Sequence, residues 1–474
     1  MRLGSRTLTS LLAVLTVLAS TLVGTGLVGT GLPARAEEPP PTTLTLAGEP
    51  AHADQAVPLQ VDLVQSGDEA PVAGAQVVVE RRTDGAWATL GPVVTDEAGH
   101  AEVEATLARR KEDNVFRASY AGDPGHAPAE TGPVQVALQR RDSRVRLTGP
   151  DSVVDEDRVS LQVRWTAGDG TPVSGPVAVY RRKAGGAWKH VLDVATDDRG
   201  QATFSARPRT DTQWRATAPR LDWVRAGRSP VHAVDNLPPG RPVALPGRAP
   251  RPRVHVPTQP HAKGAGAHVV TTRIPAAVWR QMVGRTWHPG CPVGRASLRL
   301  VRMNYWDFRG YRRRGELVAN ADAAGRIAGA LAEMYDDRLP IRSMYREDRF
   351  GWSQRVHGAD DFRSMAAGNT SVFNCREVVN RPGVRSPHAW GRALDLNTWE
   401  NPYRSARGIV PDTWWQSHSH PRVAWRSSRH QVVQIMARHG LRWTYGLGDT
   451  QHFDAPAGNG RYAARPAGCR GVCE

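Results

Sequence analysis

Cysteine is missing from the first 290 residues of this 474-residue chain; the four thiols, Cys291, Cys375, Cys469 and Cys473, all fall near its end. The N-terminal half must therefore hold together by apolar packing alone, with neither disulfides nor thiolate-bound metal. Lysine is almost absent as well. It occurs only at 111, 183, 189 and 263, so arginine supplies nearly all of the 62 basic residues and most of the net charge of +16. No apolar run long enough to span a bilayer occurs after residue 32, which excludes a multi-span membrane protein and makes the mature chain an expected soluble one.

What is present begins with a leader. Arg2 and Arg6 precede an uncharged apolar stretch from Leu11 to Leu32, and Ala34-Arg35-Ala36 offers a small-x-small cleavage site. Residues 1–36 are therefore expected to be a signal peptide. An uncleaved anchor is the alternative, and no cysteine stands there to carry a lipid. Export removes nucleic acid from the expected partners of so basic a chain and leaves an anionic cell wall. A high-GC genome would give the same arginine bias.

A repeat of about one hundred residues organises the N-terminal half. Pro71-Val72-Ala73-Gly74 recurs as Pro172-Val173-Ser174-Gly175, Arg81-Arg82 as Arg181-Arg182, and Gly85-Ala86-Trp87 as Gly186-Ala187-Trp188. Short alternating runs between Gly, Asp and Pro clusters suit about seven antiparallel strands per copy. Two all-β Ig-like sandwiches are expected, over 41–138 and 142–236, with Trp87 and Trp188 as core anchors. They serve as spacers or as ligand-binding modules. The Pro-, Gly- and Arg-rich stretch 237–268 reads as a stiff extended linker holding the last domain away from them.

Residues 269–474 have an α+β pattern. A strand is expected over Leu298 to Tyr305, and a helix capped by Asn320 with Ala324, Ile327, Leu331 and Met334 on one face. A second helix, capped by Ser427 or Ser428, carries Val432, Ile435 and Met436 inward and stops at Gly440. A strand over Leu441 to Tyr445 follows. Four cysteines permit three pairings. Cys291–Cys375 with Cys469–Cys473 is the expected one, with a zinc knuckle as the alternative.

Chemistry concentrates in Ser386-Pro387-His388-Ala389-Trp390-Gly391-Arg392-Ala393-Leu394-Asp395 and in Asp449-Thr450-Gln451-His452-Phe453-Asp454. Two histidines and one carboxylate make a three-ligand catalytic zinc set with a fourth position left for water. Alternation puts Leu394 and Leu396 on the core side and Asp395 on the other, with the small Ala393 leaving room beside it. Asp449, three residues before His452, is available as general base. His418 and His420 are rival ligands, expected instead in a loop near the cleft. His357, His430 and His439 read as surface or edge residues.

These motifs resemble the M15 metallopeptidases, the D-alanyl-D-alanine carboxypeptidase family, in a secreted actinobacterial branch. The resemblance also rests on Asn369 to Arg376, on Asn397, and on Asn401-Pro402-Tyr403. It implies a mixed α/β zinc fold with Zn2+ on His388, Asp395 and His452, acting on D-alanyl bonds in peptidoglycan stem peptides. Asp449 stands where many members carry glutamate. Arg376, and then Arg346 in Ser343-Met344-Tyr345-Arg346, are the residues expected to hold the oxyanion or terminal carboxylate. An L-alanyl-D-glutamate endopeptidase shares the motif. A non-catalytic, zinc-containing wall-binding module shares the fold.

Overall fold

The computed structural model describes residues 38–378, 381–405 and 408–457. The expected leader and the Cys469–Cys473 pair lie outside them. Chain contacts divide the molecule after Arg140 into two compact units. No helix among the described residues is long and apolar enough to cross a membrane.

The first unit has two antiparallel sheets around one core. Thr42–Gly48, Ala56–Gln65 and His100–Thr106 form one sheet, and Gln76–Thr83 is paired by Ala86–Val94 and Val115–Tyr120 in the other. Leu59, Val61 and Leu63 from the first meet Val77, Val79 and Phe116 from the second. Residues 143–237 repeat the plan. Ser143–Thr148, Val159–Ala167 and Gln201–Ala206 pair in one sheet, and Gly175–Arg182 lies between Lys189–Thr196 and Thr212–Ala218 in the other. Alternation sends every second side chain inward, so two facing sheets share one apolar layer.

Neither Trp87 nor Trp188 anchors a core. Both are half-buried, because Trp87 pairs with Arg82 across the ladder and so falls on the face opposite Val77 and Val79. The arginines Arg117 and Arg215 cover them, with guanidinium carbons 4.5 Å and 4.4 Å from the ring centres. In the second sandwich Trp165 and Trp214 fill the core instead. Their indole N–H groups donate to Ser143 Oγ and Thr212 Oγ1, which makes the burial tolerable.

Leu237 ends the strand His232–Leu237, and 238–268 has neither helix nor strand, as its composition predicts. It is not a free spacer, however. Backbone hydrogen bonds join Gly240 to Gly310, Val243 to Phe308 and Arg253 to Ala366. Trp399 Nε1 donates to Pro250 O, and Gln259 to Met344 O. In the three backbone bonds the segment's N–H groups donate to carbonyls of the last domain, and Pro250, which has no N–H, takes part through its carbonyl. Arg312, only 9% exposed, ties three parts together. It donates to Glu156 Oε2 of the second sandwich at 2.6 Å, to Gly264 O at 2.7 Å and to Tyr335 Oη at 2.6 Å. Arg312→Ala leaves the half-buried Glu156 with Arg209 as its remaining partner and takes the donor from two further acceptors, so it is expected to cost about 1–3 kcal/mol. Thermal unfolding and faster proteolysis within 237–268 would show it; an unchanged cleavage pattern would refute it.

In the last domain Leu298–Trp306 pairs with Val270–Arg273 on one side and Arg312–Asn320 on the other. The helix Ala324–Asp336 packs Ile327, Leu331 and Met334 onto Val301, Met303 and Leu317 of this sheet. Asn320 is not its cap. It ends the strand, donating Nδ2–H to Trp390 O, and the helix starts after Ala323 with no side-chain cap. The second helix is Gln431–Arg438, with Val432, Ile435 and Met436 buried. His430, not a serine, caps it by accepting from Val432 N–H at 3.2 Å. Gly440 stops it at φ +71°. Leu441 to Tyr445 forms no strand; a single bridge from Arg442 to Asp454 replaces it.

The expected disulfide Cys291–Cys375 is present and closes a sequence separation of 84 residues. Removing it in Cys375→Ser is expected to cost about 2–4 kcal/mol, since the unfolded chain regains a long loop. Equal melting temperatures of wild type and variant would contradict this.

Candidate metal centre

Two short strands, Ala393–Asp395 and His452–Asp454, pair antiparallel with Asp395 directly opposite His452 and Ala393 opposite Asp454. Leu394 and Phe453 turn to the other face and enter the main core. A carboxylate and an imidazole thus face each other across one rung, fixed by the register of a buried ladder. His388 arrives from the single turn Pro387–Trp390. Ser386 Oγ caps that turn, and Gly391 leaves it at φ +69°. A Cβ at Gly391 would lie 2.9 Å from Asn320 N, so only glycine allows this close approach.

The ligand atoms of His388, Asp395 and His452 all lie within 4.8 Å of one another, and all three residues are buried. Asp395 bridges the two rings, with Oδ2 3.2 Å from His388 Nε2 and Oδ1 3.2 Å from His452 Nδ1. The remaining ring nitrogens are turned outward from this cluster. His388 Nδ1 donates to Val372 O at 2.8 Å. His452 Nε2 meets Asp454 Oδ1 at 3.0 Å. With those nitrogens occupied by acceptors, His388 Nε2 and His452 Nδ1 are the lone-pair nitrogens on the inner side. Two imidazoles and a carboxylate at this spacing are the donor set of a catalytic zinc ion, so the residues fit the metal.

Sequence reasoning missed the supporting groups. Asp454 falls on the face of His452 by simple period-two alternation, a signal that was legible, and Thr444 Oγ1 donates to its second oxygen at 2.5 Å. Gln451 Nε2 donates to Asp395 Oδ2 at 3.3 Å. Asp454→Asn is expected to weaken zinc binding about 10–100-fold while the fold persists. Competition with a chelator measures this, and unchanged affinity would remove Asp454 from the role.

Asp449 is fully buried at the end of the turn Gly446–Gly448, with its backbone bridged to Tyr403. Arg346 and Arg376 are buried too, each against a carboxylate. Arg346 holds Asp348 with Nε–Oδ1 at 3.0 Å and Nη2–Oδ2 at 3.1 Å, and also reaches Glu316. Arg376 pairs with Asp361 at 3.1 Å. Beside that pair Glu347 accepts from Ser364 Oγ at 2.8 Å. Burial, then the Asp361 charge, pushes the Glu347 carboxyl well above its usual range. Arg346 borders a void too narrow for a water molecule, with Tyr345, Glu347, Val372 and Phe373, and Val372 is the residue whose carbonyl orients His388. Arg376 does not line it.

His418 stacks on Trp414 at 3.7 Å and His420 accepts from Arg422 N–H. Neither joins a metal-competent group among the described residues. His357 and His439 pair with Glu377 and Glu333.

Residues 380–455 match a family model described as D-alanyl-D-alanine carboxypeptidase. That match supports an M15 peptidase domain at the C-terminal end. It contains all three clustered ligands and Asp449. No curated protein matches the chain. Among solved structures, a marsupial T cell receptor is similar at 11% identity over 58% of this chain and 100% of that one, with a TM-score of 0.22. A tetra-tandem repeat in the extending region of a large adhesion protein is similar at 10% identity, over 58% of this chain and 64% of that one, with a TM-score of 0.25.

Proposed function

We propose that the protein is a secreted zinc peptidase that hydrolyses D-alanyl bonds in the stem peptides of peptidoglycan. The His388–Asp395–His452 cluster carries this reading, together with the carboxypeptidase-type family match around it. When bound, zinc supplies a Lewis acid that polarises the scissile carbonyl and makes water acidic. Asp449 would serve as the general base, taking a proton from the attacking water and returning it to the leaving amine. Val372 O and Asp454 hold the two imidazoles in their ligand tautomers. Arg376 and Arg346, each buried against a carboxylate, are the candidates to hold the terminal carboxylate or oxyanion.

Mass spectrometry of defined stem peptides, incubated with zinc-loaded protein, tests the reading. Loss of one terminal alanine establishes a D,D-carboxypeptidase. An internal cut points instead to an endopeptidase of the L-alanyl-D-glutamate kind. No product from a zinc-loaded chain would sink the enzyme and favour a wall-binding module.

A further inference from the structure

The two sandwiches differ at one face, and the difference is one of charge. In the first, Arg117 lies over Trp87 and is neutralised by Glu80, its cross-strand partner, at 2.6 Å. Glu130 faces Ser119 two residues further along the same strand and side. In the second, Arg215 lies over Trp188 in the same way, and its cross-strand partner is Tyr180. The position facing Thr217 holds Arg228. Both glutamates of the first copy are therefore lost in the second, one to a neutral residue and one to a further arginine.

Arg182 completes the cluster, with its guanidinium carbon 4.6 Å from the Trp188 ring centre. Among the described residues no carboxylate pairs with Arg182, Arg215 or Arg228. Arg182 Nε donates to the neutral Gln213, and Arg215 Nε is buried without a hydrogen-bond partner. The carboxylate on the neighbouring strand, Asp193, is taken by His190. Burial, then the charges of Arg228 and Arg182, lowers the Arg215 pKa from its ordinary value. Three guanidinium groups held together on one sheet face repel one another, and an oxyanion between them relieves that repulsion with bidentate hydrogen bonds. Trp188 already carries two guanidinium groups within 4.6 Å of its ring centre, so this surface presents charge before it presents an aromatic platform.

We propose that the Arg182–Arg215–Arg228 face of the second sandwich binds a phosphodiester-bearing polymer, and that the first sandwich does not. The assignment is independent of the peptidase reading, because it uses no residue of the last domain.

The test takes the full chain and a poly(glycerol phosphate) oligomer, with binding followed by calorimetry at low and high salt. The double variant Tyr180→Glu with Arg228→Glu gives the second sandwich the charges of the first. Its affinity should fall at least about tenfold with an unchanged melting temperature, and wild-type binding should weaken steeply with salt. The reverse pair, Glu80→Tyr with Glu130→Arg, should add a second binding site per chain. Unchanged affinity in the first double variant overturns the site. Equal binding of a carboxylate polymer of matched charge density overturns the phosphodiester chemistry. Should the first variant lose stability, Arg215→Gln alone supplies the same readout, and undiminished binding there refutes the proposal.

Discussion

Replacing His452 by alanine is expected to remove zinc and hydrolysis together. His388 and Asp395 would then be the two donors left of the three that lie within 4.8 Å. Two donors give neither the affinity nor the open tetrahedral geometry that a catalytic zinc site needs. The same change takes the imidazole from buried Asp454, which keeps its hydrogen bond from Thr444. Zinc stoichiometry of the purified variant, measured with its stem-peptide activity, is the check. A variant that keeps one zinc per chain would show that the ion is held elsewhere, and the centre would have to be reassigned.

Asp449→Asn separates binding from chemistry. Asp449 is not one of the clustered ligands, so zinc should remain at wild-type occupancy. Amide cannot accept the proton that the reaction releases, and the rate should fall about 10²–10⁴-fold. Asp449→Glu should restore a measurable part of it, because it keeps the carboxylate and matches the residue common in similar peptidases. Full activity in Asp449→Asn would remove this residue from the mechanism; loss of zinc would make its role structural.

The clustering of His388, Asp395 and His452 was legible because it is written in residue types at fixed spacings. Alternation around Asp395 was legible for the same reason: Leu394 and Leu396 do enter the core, and Ala393 does leave room, opposite Asp454. Cys291–Cys375 followed from the need to tie the domain entrance to the segment before the centre. Other features are set by partners that sequence does not show. Trp87 and Trp188 are large and apolar, yet ladder register put them on the outer face under arginine. The segment 237–268 has the composition of a free linker, and its docking uses backbone N–H and carbonyl groups that sequence does not mark. Helix caps went astray because the backbone started a turn later than the nearest polar residue suggested.

Arg312 reaches from the last domain to Glu156 of the second sandwich, and Tyr311 Oη donates to Asn236 O beside it at 2.5 Å. Mechanically, this makes the second sandwich a strut and not a leash. A leashed enzyme samples every bond within a sphere around its anchor, with a local concentration that falls as the leash lengthens. A braced one works at a fixed stand-off, so under the two proposals above the pitch between the sandwich's polymer and the bond hydrolysed would be written into the protein. Loosening Arg312 would then broaden the set of bonds reached before it slowed the cutting of any one of them.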